Sequence, residues 1–130
     1  MGQTEVVLQD VFWSFSGDPF TERGAFETSL RQYQKDINNI DSWSSAEPVI
    51  LTSQIRVQYM HWKDDKQIES IITLNAENCA GFSTGELMFL LHNAVVEQLR
   101  GIDHHFFEGL ALIGEQEDER PPLYVLCQGS

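Results

Sequence analysis

Apolar residues recur along this chain with two spacings, and the alternation between those spacings predicts a set of elements. The strongest signal runs from Ser83 to Arg100. Leu87, Leu91, Ala94 and Gln98 fall on one side of a helix, with Met88, Val95 and Leu99 beside them and Leu90 widening the stripe. Glu86, Asn93, Glu97 and Arg100 gather on the other side. Ser83 followed by Glu86 fits a capping box, in which each side chain satisfies a backbone donor at the helix start. Gly101 stands where a left-handed C-cap is wanted, just after a cation suited to the negative helix end.

Earlier in the chain, Glu5 to Phe15 is rich in Val, Phe and Trp and predicts a first strand. Val7, Val11, Trp13 and Phe15 share one face, while Val6, Leu8 and Phe12 share the other. Apolar residues on both faces imply a central strand or one covered twice. Gly17-Asp18-Pro19 then offers an N-cap and a first-turn proline. A second amphipathic helix follows to about Asn38, with Phe26, Leu30, Tyr33 and Ile37 as its stripe. Glu27 and Arg31 form a supporting pair on its exposed side. Asn38 to Ala46 is a loop that carries Trp43, a ring expected to tuck under the sheet edge.

Period two takes over from Val49 to Trp62. Val49, Leu51, Ile55, Val57 and Tyr59 point one way, and Thr52, Gln54, Arg56 and Gln58 the other. Lys63-Asp64-Asp65-Lys66 is a polar turn, and Ile68 to Leu74 returns as the partner strand of a hairpin. Phe106 to Ile113 and Leu123 to Cys127 are two further strands. The acidic loop Gly114 to Pro122 joins them. The order β-α-β-β-α-β-β predicts a single α+β domain of two layers. Its sheet is mainly antiparallel, and both amphipathic helices lie on one face.

Charge and length narrow the function classes. A chain of 130 residues with a 42% apolar share is one packed domain. Its formal charge of −12 repels phosphate backbones, and the eight Lys and Arg form no basic patch. Nucleic-acid binding is therefore not expected. No apolar run approaches the roughly 20 residues of a membrane span. The beginning lacks the order of a secretory signal, so a cytoplasmic protein is expected. Cys79 and Cys127 are too few and too far apart for a disulfide framework.

Candidate chemistry is sparse. Asp103, His104, His105 and Glu108 crowd together just beyond the second helix, and His92 lies on the flank of that helix. On a strand, His104, Phe106 and Glu108 share a face and His105 opposes them. A histidine and a carboxylate so placed can serve as a base with its orienting group, or as metal ligands. Histidines near a helix C-terminus also gain from the dipole with no function at all. His92 alone reads as a satisfied boundary histidine, and His61 beside Trp62 as a surface residue. No nucleophile elbow, Walker loop or Gly-x-Gly-x-x-Gly occurs, so no cofactor or bound metal is expected.

Glu115, Glu117, Asp118 and Glu119 in the acidic loop form either a solvated connection or a docking surface for a basic partner. Arg56, Gln58, Met60 and Trp62 mark an open, mixed sheet face suited to a partner or a second copy. Two functions from different classes follow. The first is a non-enzymatic binding module of inhibitor or immunity type for a basic protein partner, with a homodimer expected. The second is a small-molecule or metal-assisted enzyme site between sheet and second helix. There His92, His104, His105 and Glu108 would supply polar groups, and Trp13, Phe106 and Phe107 apolar walls.

Overall fold

A computed structural model describes residues 6–8, 11–37, 47–77, 79–102, 105–113 and 121–129. In chain order the elements are β1 (Val6–Val7), β2 (Trp13–Ser14), α1 (Arg23–Asp36), β3 (Pro48–Ile50), β4 (Gln54–Lys63) and β5 (Lys66–Asn75). Then come β6 (Phe82–Ser83), α2 (Thr84–Leu99), β7 (Phe106–Leu112) and β8 (Leu123–Gly129). The main sheet runs β1-β7-β8-β4-β5, with β2 also pairing β7, while β3 and β6 pair apart from it. Every pairing is antiparallel except β4 with β8, where Arg56 to Gln58 lie beside Leu123 to Val125. The domain is α+β, with both helices packed into one core against the sheet.

The β4–β5 hairpin closes over Asp64 and Asp65, both at positive φ (53° and 63°). That turn matches the right-handed twist of its strands, and Asp accepts the left-handed region more readily than most residues. Ile55, Val57 and Tyr59 on β4 face Leu74 and the helices, as the alternation predicts. The strand does not run unbroken from Val49, however. Ile50 is buried and Leu51 is 78% exposed, because the chain pairs first with β6 at the head of α2 and shifts register before β4 begins.

α2 occupies the predicted span. Ser83 Oγ accepts the Glu86 amide at 3.3 Å, and Gly101 takes φ 112° beyond the helix end. Glu86 differs from expectation: it is buried, and its carboxylate accepts the backbone N–H of Glu77 at 2.7 Å. Leu87, Met88, Leu91, Val95 and Leu99 are fully buried, each worth about 1.5–3 kcal/mol of transfer free energy.

α1 starts later than predicted, at Arg23, with Glu22 as an N-cap that makes no side-chain bond. Asp18 and its neighbours are held by α2 instead. Arg100 Nη1 donates to the Asp18 carboxylate at 3.1 Å and to the Gly17 carbonyl at 3.0 Å. The Asn93 side chain bonds both N–H and C=O of Phe20, each at 2.8 Å. A segment tied at three points to another helix cannot wind into a first turn of its own. Phe26 and Leu30 are buried as the stripe predicts, but Ile37 is exposed and Gln34 turns inward. Glu27 pairs with Arg23, one turn before it, where Arg31, one turn after it, was the expected partner.

The first strand shows the largest departure. It lies at the sheet edge and is split: Val6 and Val7 pair with Ala111 and Leu110, whereas Trp13 and Ser14 pair with Phe107 and Phe106. The chain from Val7 to Trp13 is longer than the stretch it faces, so residues must leave the ladder. Leu8 takes φ 63° at that exit. The loop carrying Trp43 and the acidic loop lie outside the described residues.

Candidate functional site

Trp13 stands between two environments rich in aromatic rings. On its inner side is His92, which is completely buried among Trp13, Phe15, Phe20 and Phe26 at ring-centre distances of 5.3–6.2 Å. The indole N–H of Trp13 donates to His92 Nδ1 at 3.1 Å. Nδ1 is therefore unprotonated, and Nε2 carries the hydrogen that it donates to the Asp18 carbonyl at 3.0 Å. Burial pushes the imidazole pKa down, with the carbonyl bond opposing in part. Protonation would set two N–H groups against each other. His92 is thus a neutral core residue with both nitrogens engaged.

On the outer side, where β2, α1 and the start of β7 meet, lies a cavity of about 260 Å³. Phe12, Trp13, Tyr33, Phe106, Phe107 and Glu108 line it. Phe12 and Phe106 are 42% and 37% exposed, so the rings open to solvent. Sequence periodicity alone does not explain this placement. Phe12 belongs to the extra residues that leave the edge ladder, and buried Gln34 holds its backbone there. Phe12 N–H donates to Gln34 Oε1 at 3.1 Å, and Gln34 Nε2 donates to the Phe12 carbonyl. One side-chain amide thus takes the part of a missing neighbouring strand.

Glu108 sits at an irregularity of β7, where the register against β8 shifts between Phe107 and Leu110 and Gly109 takes φ 120°. Its carboxylate rests over Gly129: a Cβ there would come within 2.6 Å of it, and the Glu108 side chain would have to swing aside. Glu108 is exposed, and among the described residues no ion pair engages it. Besides burial, its charge raises the Cys127 thiol pKa. The polar groups of the lining are this carboxylate and the Tyr33 phenol, whose pKa burial raises.

Of the predicted histidine cluster, neither His92 nor His105 lines this cavity. His92 is in the core, and His105 is half-buried, its Nδ1 beside the Ile102 carbonyl and its ring 4.3 Å from that of Phe106. Asp103 and His104 lie outside the described residues, as do Glu115, Glu117, Asp118 and Glu119. Between sheet and α2, where an enzymatic pocket was expected, Leu87, Leu91 and Val95 are buried in the common core. Trp13, Phe106, Phe107 and Glu108 do line one cavity, though against α1 rather than α2. Among the described residues no group of His, Cys, Asp and Glu could hold a metal ion.

Two other expected positions have structural work. Arg56 donates from Nε to the Pro121 carbonyl at 3.0 Å and fixes the entry to β8. His61 bonds Ser70 at 2.9 Å and stacks on Tyr59 rather than standing free at the surface. Cys127, expected in the core, is a half-buried free thiol. Trp62 remains 46% exposed. A second cavity, about 310 Å³, opens where β4 and β8 part, but its polar groups serve the fold. Gln58 pairs with Glu69, and Gln128 bonds both N–H and C=O of Met60.

Compared with known proteins, the chain matches no protein-family model, no curated protein and no solved structure. No described helix is long and apolar enough to cross a membrane. The reading of the site rests on its geometry.

Proposed function

We propose that this protein is a non-enzymatic binding module, of inhibitor or immunity type, for a basic protein partner. The observation that carries it is the exposed cleft walled by aromatic rings, with Glu108 as the one charged residue among its described lining, on a chain of net charge −12. Aromatic anchors beside a charge are what concentrated binding energy uses. Carboxylates around them speed encounter with a basic surface. Catalysis has less support, since no described residue of the lining is a histidine or a thiol and buried His92 already spends both nitrogens.

A cytoplasmic, self-associating protein is part of the same proposal. Trp62 and Ile71, 46% and 53% exposed, offer apolar surface for a second copy.

A titration of the protein into a labelled basic peptide, at low and high salt, tests the reading. Binding that weakens with salt, and on charge reversal at Glu117 and Asp118, is expected. Absent binding, or binding indifferent to salt and to those reversals, overturns it.

A further inference from the structure

We infer that the cleft formed by Phe12, Tyr33, Phe106 and Glu108 is the receptor for a single arginine side chain of the basic partner. The inference rests on the reading above and names the group that the cleft accepts.

Three features select a guanidinium. The walls are aromatic, and Phe12 and Phe106 expose ring surface to an entering group. A planar, weakly hydrated cation lies against such faces at lower desolvation cost than an ammonium. Glu108 is the one charged residue among the described lining, and the two oxygens of a carboxylate match the fork of a guanidinium. No ion pair among the described residues engages that carboxylate. The Tyr33 phenol, its pKa raised further by burial, is protonated at neutral pH as any tyrosine is, and its oxygen can accept a further N–H.

The site is also held in shape before any guest arrives. Gln34 clamps the Phe12 backbone by two hydrogen bonds. Trp13, beneath it, is fixed by its indole bond to His92. Rings fixed in advance lose little freedom on binding, and that loss is a principal cost of association. Lysine would meet the same charge but forgo stacking and the forked contact.

The test uses two versions of one labelled basic peptide, identical in length and charge, with arginine or lysine at every basic position. The folded full chain is titrated with each. The wild type is expected to bind the arginine version about tenfold tighter, the scale of one charge-assisted forked contact. Glu108→Gln and, separately, Phe12→Ala are expected to bring that preference below about twofold, the arginine affinity falling further than the lysine affinity, since both side chains are exposed and replaceable without unfolding. Equal affinity for the two peptides, or a preference that survives both substitutions, overturns the arginine site and leaves the basic-partner reading standing. Failure of both peptides to bind overturns both.

Discussion

The two sides of Trp13 are built from similar residues and do opposite things. Inside, an imidazole is enclosed by four aromatic rings, and each of its nitrogens meets a protein partner. Outside, exposed rings flank a carboxylate that no cation among the described residues engages. The histidine, the residue type most often associated with chemistry, is the structural one. Polar groups whose bonding is complete stabilise a fold, while those left facing solvent are available to a ligand.

Breaking the inner side should have the largest effect. His92→Ala removes a buried ring and strands the Trp13 N–H and the Asp18 carbonyl. A loss of about 3–5 kcal/mol is expected, from the cavity together with the unpaired groups. A shift of the urea midpoint measures it, and a midpoint unchanged from wild type would contradict the assignment. Next comes Gln34→Leu, which unpairs both polar groups of the Phe12 backbone. It should cost about 1–3 kcal/mol and also weaken peptide binding, coupling fold to cleft as no other single change does.

Acidification sharpens the contrast by another route. The folded-state pKa of His92 lies below its ordinary 6.5, so the unfolded chain takes up the proton first. The neutral core histidine contributes its full stability above pH 6.5, and that contribution is lost as pH falls from there toward the folded pKa. The slope within that window is at most about 1.4 kcal/mol per pH unit. His92→Gln should remove this component from the difference between pH 7 and pH 5 melting curves. An identical pH dependence in the two proteins would show that His92 does not titrate on unfolding.

The smallest stability effect belongs to the outer side. Glu108→Gln should leave the urea midpoint within about 0.5 kcal/mol of wild type. A large destabilisation would make Glu108 a structural residue. On the sheet face away from the helices, Trp62→Glu should leave folding unchanged and shift any dimer toward monomer in sedimentation velocity.

Much of the fold is legible in the sequence, because helical and strand periodicities record which side chains a layer must bury. α2 shows this with its stripe, its Ser83 cap and Gly101. The β4–β5 hairpin shows it through alternation and a polar turn. What local pattern does not record is competition between distant partners. Asp18 looks like a helix cap, yet Arg100 and His92 hold it from more than seventy residues away. Glu86 looks exposed on a helical wheel, yet the Glu77 amide draws it inward. The parallel contact of β8 with β4 is likewise invisible in strand patterns that are compatible with several orders.

The cleft was half legible. Trp13, Phe106, Phe107 and Glu108 group in the sequence as walls and polar group of one pocket, and they line one cavity, against α1 rather than α2 and without His92 or His105. Phe12 and Tyr33 were missed as lining. The available signal was apolar residues on both faces of the first strand, which belongs to a split edge strand with one ring left over. Gln34, interrupting the apolar side of α1, was the other signal.

Chemical-shift mapping of the labelled protein with the arginine peptide tests the account most directly. Its central claim predicts that the amides of Phe12, Phe106, Phe107 and Glu108 and the Trp13 indole N–H move together, with those around Leu91 and Val95 still. Shifts centred instead on Trp62 and Ile71, or no shifts at all, would contradict it.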